Sequence, residues 1–515
     1  MKPIRLMAGF FTVGIWTLGS RILGFVRDAM ILALVGPGPL YEAYVVAFRL
    51  PNMFRRFFAE GAFNMAFVPM FSKKFEREED PRAFAEDALS GLASVLIVLT
   101  LIAQVGMPWL IFATASGFSG QEQFTLSVEF GRIAFPYVLF ISLAALFSGI
   151  LNATGRFAAA AAAPVVLNIF LIGGMMAAQF FGGDVARALI WMIPVSGAAQ
   201  LALVWLAAAR AGFSLRFKRP RWTPELARLV KIAVPAALAG GVVQINLLVG
   251  QQVASYFEDA VGWLYAADRL YQLPLGVVGI AIGVVLLPDL SRRLSAEDHD
   301  GARHAFSRAG EVSLALTIPS AVALVAIPLP LVSVLFQRGE MTAEDSRAIA
   351  LAVAVYGLGL PAFVLQKILQ PLFFAREDTT TPFHYALAAM ALNAVVAIGL
   401  APFLGWIAPA IATTAAGWAM VVLLVIGGRR FGDVARFDAR FRTRIWRICL
   451  AAAIMGATLW AAARLFDTAL HTGGLRYLAL TGLIVLGVVV YFGVAQVIGG
   501  VRLAEFAGAL RRRRG

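Results

Sequence analysis

The chain has 515 residues, of which 60% are hydrophobic and 14% charged, with a net charge of +14 and a mean hydropathy of +0.79. A soluble domain carries about 25% charged residues, so this composition excludes an ordinary soluble protein and is typical of a polytopic membrane protein. Basic cytoplasmic loops account for the positive charge without nucleic-acid binding. The single cysteine, Cys449, excludes an internal disulfide and a cysteine-based metal cluster.

The first long apolar segment carries a polar stripe. At 100° per residue, Ser20, Arg21, Gly24, Arg27 and Asp28 fall within about 120° of one helix face. An Arg at mid-bilayer costs roughly 2.5–3.5 kcal/mol on insertion scales, so the stripe needs a partner or a water-filled cavity. The segment is too long and too charged for a cleavable signal peptide, and it predicts a retained first span.

Apolar runs of about 20 residues continue along the whole chain and predict an all-α protein with about fourteen transmembrane helices. The predicted spans are 8–35, 42–72, 88–113, 127–152, 160–181, 187–210, 229–255, 263–290, 312–336, 348–372, 383–404, 408–428, 446–466 and 476–499.

The distribution of basic residues predicts the orientation. With Lys2 and Arg5 in the cytoplasm, the strongly basic loops after spans 2, 6, 8 and 12 and the Arg511–Arg514 tail all lie on the cytoplasmic side. Only a few Arg residues lie on the opposite side. Because Lys and Arg accumulate in cytoplasmic loops, both termini of this multi-pass protein are predicted to be cytoplasmic.

An internal repeat relates the two halves. Phe135-Pro136 and Leu167-Asn168 recur as Leu360-Pro361 and Leu392-Asn393, in each case 225 positions later (360 − 135 and 393 − 168). Two related six-helix halves, related by an axis along the membrane normal, are the architecture of an alternating-access transporter. The predicted division is an N-terminal six-helix lobe at 1–212, a C-terminal six-helix lobe at 213–430, and two additional helices with a basic tail at 431–515.

Further charged residues interrupt spans 2 and 8. Three Arg near the middle of one segment cannot all reach an interface, so a cavity lining is favoured over snorkelling. An Arg-rich cavity attracts an anion, and the guanidinium fork matches phosphate or carboxylate oxygens. The residues concerned are Glu42, Arg49, Asn52, Arg55, Arg56, Glu60, Asp268 and Arg269.

Several catalytic motifs are missing. The chain has no Gly-Lys pair and hence no P-loop, and no His-Glu-x-x-His metal motif. The predicted outer loops are short and hold no paired carboxylates, which weakens a membrane glycosyltransferase. A cation-drug exporter should have an acidic cavity, whereas this one is basic. These absences favour a transporter without covalent chemistry, metal or cofactor, which leaves coupling to membrane potential or to a cation open.

The chain resembles the MurJ (MviN) family of lipid II flippases, in the superfamily of multidrug and polysaccharide exporters. The resemblance rests on Ser20-Arg21-x-Leu23-Gly24-Phe25-x-Arg27-Asp28, on Phe48-x-Leu50-Pro51-Asn52 followed by Arg55-Arg56-x-Phe58-Ala59-Glu60-Gly61, and on Tyr265-x-Ala267-Asp268-Arg269-Leu270. Glu42 stands where other members carry Asp, and Arg49 where some carry Lys. Both departures keep the charge.

The resemblance implies that the cargo is lipid II, an undecaprenyl pyrophosphate carrying the peptidoglycan disaccharide-pentapeptide. It implies substrate binding by Arg21, Arg27, Arg55 and Arg269. Around these we expect a supporting cavity of Ser20, Asp28, Glu42, Asn52, Arg56, Glu60 and Asp268. Spans 13 and 14 are expected to form a groove for the lipid tail, and membrane lipids and the cell-wall synthesis machinery are the expected partners. The alternatives are export of another polyprenyl-linked saccharide or a drug, and a membrane glycosyltransferase.

Overall fold

The computed structural model describes the backbone of residues 3–56 and 62–502, and the side chains of these residues except 3–11, 62–65, 235–246 and 277–285. The described chain forms helices and their connections, with no strand among them. The all-α prediction is therefore confirmed. Glu60, Lys2 and the Arg511–Arg514 tail lie outside the described residues.

The described part of the first half of the chain forms nine α-helices. They are α1 Pro3–Leu34, α2 Pro39–Arg55, α3 Ala62–Glu76, α4 Pro81–Thr114, α5 Glu122–Ala134, α6 Tyr137–Ala153, α7 Ala158–Phe181, α8 Val185–Arg210 and α9 Pro224–Ala254.

Nine further helices follow. They are α10 Ala260–Ser295, α11 His299–Ala326, α12 Pro328–Phe336, α13 Ala343–Phe374, α14 Thr380–Leu404, α15 Ala408–Gly428, α16 Ala439–Leu465, α17 Asp467–His471 and α18 Leu475–Val497.

Proline divides two of the predicted spans. Span 4 consists of α5 and α6, which meet at Phe135-Pro136, and span 9 consists of α11 and α12, which meet at Ile327-Pro328. Because proline has no backbone N–H and its ring clashes with the preceding turn, a helix commonly breaks or kinks there. Within the described residues, nine helical stretches are long and apolar enough to cross a membrane. The count of fourteen spans stays a prediction.

The order of helices repeats along the chain. Helix α1 begins at Pro3 and α9 at Pro224, a difference of 224 − 3 = 221 positions, and α2 and α10 begin at Pro39 and Ala260, again 260 − 39 = 221. Helices α7 and α14 begin at Ala158 and Thr380, 380 − 158 = 222 positions apart. Matching helices thus follow one another in the same order in both halves, as the short sequence repeats predict.

The chain divides into two compact units, Met1–Gly262 and Trp263–Gly515. Helix α9, the first helix of the second repeat, is grouped with the first unit because both of its ends are bonded there. Near its N-terminus Glu225 lies 3.6 Å from the Lys74 ammonium. At its C-terminus Gln251 donates to the Thr114 carbonyl over 3.1 Å. The predicted lobe boundaries stay predictions.

Helices α16 and α18 add to the second unit through an apolar cluster. Ile448, Ala451 and Leu483 are buried there with Ala315 of α11. The Tyr491 hydroxyl, also buried, donates to the Ala315 carbonyl over 2.6 Å. This bond satisfies a polar group that would otherwise be costly in an apolar environment. Helix α16 is therefore packed against α11, and α18 packs on α16 and reaches α11 through Tyr491.

Candidate functional site

The polar stripe of α1 packs against α7, and Arg27 and Asp28 form its buried end. Only 8% of Arg27 and 7% of Asp28 is exposed. The Arg27 guanidinium donates to the Asp28 carboxylate through Nε at 2.9 Å and Nη2 at 2.6 Å. Its Nη1 donates to Asn168 Oδ1 over 3.0 Å. A buried charge is tolerated when it is paired and hydrogen-bonded in this way, and the guanidinium is thereby held in one orientation.

Asn168 of α7 is a site residue that sequence reasoning did not assign to the site. It is 4% exposed, and besides accepting from Arg27 it donates through Nδ2 to the Ser20 carbonyl over 2.9 Å. One amide therefore links the start and the end of the polar stripe. Two sequence features could have pointed to Asn168: it is an Asn within an apolar span, and the matching position of the second repeat is also an Asn. That residue, Asn393, is buried as well.

Ser20 and Arg21 lie at the other end of the stripe. Ser20 is half-buried and its carbonyl is bound by Asn168, whereas Arg21 is exposed. Between them and Arg27, a Cβ added to Gly24 would lie 3.7 Å from Asn168 Oδ1, an ordinary van der Waals contact. The structure therefore brings Ser20, Arg27, Asp28 and Asn168 together and presents Arg21 on the surface of the helix beside them.

Helix α2 presents the second group of predicted residues. Arg49 and Arg55 are half-buried and Arg56 is exposed. Arg49 Nη1 lies 3.5 Å from the Leu247 carbonyl of α9. Asn52 donates to the Phe48 carbonyl one turn earlier in its own helix over 3.0 Å. Arg55 is the last residue of α2 and Arg56 is its C-cap, so both candidate Arg residues lie at the C-terminal end of the helix.

Glu42 occupies a different kind of position, in the first turn of α2. Only 1% of the residue is exposed, and its Oε1 accepts from the Val261 N–H at the start of α10 over 3.0 Å. The first N–H groups of a helix have no partner within the helix, so a carboxyl oxygen that accepts from one of them satisfies a buried donor. Glu42 thus caps α10 from another helix, which accounts for an acidic residue at this position.

The second unit contains two further predicted residues, Asp268 and Arg269, both on α10. The Arg269 guanidinium carbon lies 4.3 Å from the centroid of the Tyr265 ring, a cation–π contact between residues one turn apart. The side-chain amide of Gln272 donates to the Asp268 carboxylate. Neighbouring side chains on α10 therefore fix the orientation of both predicted residues.

A polar junction fastens the C-terminal end of α9 to the 3₁₀ turn Ser116–Phe118 that follows α4. The Gly117 N–H donates to Ser255 Oγ over 3.0 Å, and the Ser116 N–H donates to Gln252 Oε1 over 3.0 Å. A Cβ on Gly117 would lie 2.4 Å from the Ser255 carbonyl carbon, so no side chain fits there. This junction could not be predicted from local sequence patterns, because its partners are about 136 positions apart.

An apolar cavity of about 470 Å³ lies in the second unit. Its lining comes from α11, α13, α15 and α16, including Val322, Pro361, Trp418 and Gly456. Helix α18 contributes none of this lining. The groove expected between spans 13 and 14 therefore stays a prediction, and the cavity that is observed shares only span 13 with it. Within the described residues, no group of three or more His, Cys, Asp or Glu is placed to hold a metal ion.

Comparison with known proteins gives the family. The family model "Lipid II flippase MurJ" matches residues 31–480. A Rhizobium meliloti (strain 1021) protein named "Probable lipid II flippase MurJ" is 44% identical over 519 residues, covering 99% of this chain and 97% of the relative. The chain belongs to the MurJ family of lipid II flippases. This membership supports the lipid II flippase interpretation over the alternatives.

Other relatives agree with this family. The "Lipid II flippase MurJ" of Burkholderia cenocepacia is 33% identical over 508 residues, covering 96% of this chain and 98% of the relative. The solved structure "Lipid II flippase MurJ, inward closed conformation" matches with a TM-score of 0.79 at 25% identity, covering 94% of this chain and 98% of that one. An inward-facing multidrug MATE transporter matches with a TM-score of 0.67 at 13% identity, covering 81% of this chain and 96% of that one, and shares the fold alone.

Proposed function

We propose that this chain moves lipid II from the inner to the outer leaflet of the bacterial cytoplasmic membrane by alternating access. Both termini are cytoplasmic in this scheme, as the basic loops predict. The pyrophosphate and sugar headgroup enters a polar cavity while the prenyl tail stays in the bilayer. No covalent step is required, since the cargo is the same molecule before and after transfer.

The buried guanidinium of Arg27 is the observation that carries this proposal. Burying an Arg in a membrane-spanning helix is costly, which favours a role for the Arg27 charge in binding the cargo. Asp28 and Asn168 orient the group and reduce its cost. The guanidinium is the side chain best matched to phosphate oxygens.

The charge balance of α1 and α2 supports an anionic cargo. Between Arg21 and Arg56 the described chain carries five basic residues, Arg21, Arg27, Arg49, Arg55 and Arg56, and two acidic residues, Asp28 and Glu42. Glu42 is engaged at the start of α10, so it is not placed to neutralise the Arg of the stripe. A local positive excess in a low-dielectric wall attracts anions.

The remaining contacts are assigned by the same reasoning. Arg21, Arg55 and Arg269 meet the pyrophosphate, with Ser20, Asp28, Asn52, Arg56 and Asp268 supporting them. The cation–π contact with Tyr265 orients the Arg269 guanidinium for this binding. The cycle draws on the membrane potential or on a cation, and about 2.3 kcal/mol is available per charge for each 100 mV. The cell-wall synthesis machinery takes up the lipid II that is delivered outside.

The function is tested by depletion. In a bacterium that depends on this chain, the protein is depleted and lipid II on the outer leaflet is quantified by an external labelling enzyme, with total lipid II measured in parallel. We expect outer-leaflet lipid II to fall while total lipid II rises. Unchanged outer-leaflet lipid II at full depletion would contradict the proposal.

A further inference from the structure

The connection between α8 and α9 is a short basic segment without regular secondary structure. We define the 213–222 segment as the ten residues that follow the last turn of α8 and precede the start of α9. It contains Arg216, Lys218, Arg219 and Arg221 and no acidic residue. Two aromatic residues, Phe217 and Trp222, alternate with these charges.

The segment is held against the N-terminal turns of α4. Glu86 of α4, only 5% exposed, accepts from the Arg216 N–H over 3.2 Å and lies 2.6 Å from the Lys218 ammonium. Ser90 Oγ accepts from the Lys218 N–H over 2.9 Å, and Arg82 donates to the Ser214 carbonyl over 2.6 Å. These bonds fix the backbone of a segment that would otherwise be a solvated linker.

Most of the basic and aromatic side chains of the segment are exposed. Phe217 is 67% and Trp222 73% exposed, and Arg216, Arg219 and Arg221 are exposed as well. Lys218 differs, because its charge is paired with Glu86. The segment therefore presents three guanidinium groups and two large aromatic rings on one short, anchored piece of backbone.

The position of the segment indicates which environment its exposed side chains face. Helices α4 and α8 are both long and apolar enough to span a membrane, and the segment joins the end of α8 and packs on the beginning of α4. It therefore lies where these spans leave the bilayer. Trp is enriched at this depth because one side of its ring is apolar and the other is polar, and basic residues there are attracted to anionic lipids.

We propose that the 213–222 segment is a binding surface for the headgroups of anionic phospholipids in the leaflet that it borders. Arg216, Arg219 and Arg221 contact the lipid phosphates, and Phe217 and Trp222 lie in the interfacial layer. The bonds from Glu86 and Ser90 pre-order the backbone, so the surface does not have to form on binding. This role is separate from the transport of lipid II, and neither depends on the other.

The test uses Trp222 as its own reporter. The full-length protein is placed in nanodiscs with increasing mole fractions of brominated phosphatidylglycerol or brominated phosphatidylcholine, and quenching is measured. The difference between the wild type and Trp222→Phe isolates the Trp222 signal. We expect half-maximal quenching at a lower mole fraction of phosphatidylglycerol. In R216Q/R219Q/R221Q we expect that mole fraction to rise about tenfold at low salt.

A matched variant separates this surface from general electrostatics. R292Q/R436Q/R442Q removes the same charge from exposed Arg residues elsewhere, and it should retain the wild-type preference. Monodispersity and melting temperature confirm that both variants are folded. Three results would overturn the proposal: equal quenching by the two lipids, an unchanged preference in R216Q/R219Q/R221Q, or an equal loss in the control. Absence of quenching by either lipid would place Trp222 outside the interface and would also overturn it.

Discussion

At the scale of single residues, one amide determines how the central guanidinium is held. Asn168 accepts from Arg27 in a buried bond and donates to the Ser20 carbonyl in a partly buried one. Asp28 alone would leave the Nη1 edge of Arg27 without this acceptor. We therefore assign Asn168 a positioning role, distinct from the cargo contacts proposed for the Arg residues.

Replacing Asn168 tests that role. Asn168→Leu keeps the approximate volume but removes both bonds, and we expect a loss of about 1–3 kcal/mol in stability together with a lower flipping rate per folded molecule. The matched control is Gln200→Leu, another buried amide, whose bond is to the Ser196 carbonyl of its own helix. If both variants flip lipid II equally well per folded molecule, Asn168 has no positioning role.

The contact between the Tyr265 ring and Arg269 leads to a corresponding prediction about lipid II binding. Tyr265→Phe keeps the aromatic face, and Tyr265→Leu removes it. A cation–π contact contributes about 0.5–2 kcal/mol depending on its exposure to water. We expect Tyr265→Leu to lower the apparent affinity for lipid II severalfold while Tyr265→Phe stays near the wild type, as measured by binding to purified protein at matched folding. Equal loss in both variants would instead indicate that the hydroxyl group is important.

At the scale of helices, close contacts between elements explain why α9 belongs with the first unit. The Gly117 backbone approaches Ser255 so closely that the absence of a side chain is a requirement. Gly106, in the middle of α4, has no neighbour within 4 Å of an added Cβ. The two glycines form a natural pair for separating a packing constraint from helix propensity.

We expect Gly117→Ala and Gly106→Ala to change stability in opposite directions. At Gly117 the new methyl forces the 3₁₀ turn away from α9 and should cost about 1–3 kcal/mol, as overpacking does. At Gly106 an alanine favours the helix, by up to about 1 kcal/mol. Thermal unfolding in detergent measures both. A neutral Gly117→Ala would mean that the junction is not tightly packed in solution.

The start of α16 predicts a dependence on pH. Partial burial raises the pKa of Asp438, but hydrogen bonds from the Phe441 N–H and from Arg308 outweigh it and lower that pKa below its ordinary value. A lowered pKa of an acid stabilises the fold above the unfolded-state value of about 3.9, and this contribution is lost as the pH falls through the folded-state value.

Asp438→Asn should therefore lower the melting temperature at pH 7, since it removes the charge that caps α16. It should also flatten the fall in melting temperature between about pH 5 and pH 3, because the titrating group is gone. Asp467→Asn, at an exposed position, is the control and should leave the acid dependence unchanged. An unaltered pH profile in Asp438→Asn would contradict the assignment.

At the scale of the whole molecule, the sequence predicted what depends on local pattern. Apolar runs predicted the helices, and short repeated strings predicted the order in which they recur. The polar stripe of α1 singled out Arg27 and Asp28 before their packing was known. These features are readable because hydrophobic periodicity and backbone chemistry act over a few residues.

Contacts between distant residues could not be read in this way. Glu42 and Val261 are 219 positions apart, and Arg27 and Asn168 are 141 apart. Glu42 was assigned to the supporting cavity by its charge, which stays a prediction, and its bond from the Val261 N–H could not be read from the sequence. The anchoring of the 213–222 segment by Glu86 was hidden for the same reason, since a basic loop alone only predicts topology.

The central claim, that the guanidinium of Arg27 serves the cargo, is tested by complementation. Cells depleted of their own MurJ express the wild type, Arg27→Ala or the exposed control Arg187→Ala at matched membrane levels, and outer-leaflet lipid II is quantified. We predict that the wild type and Arg187→Ala restore it and that Arg27→Ala does not, although the variant is folded and inserted. Full restoration by Arg27→Ala would contradict the account.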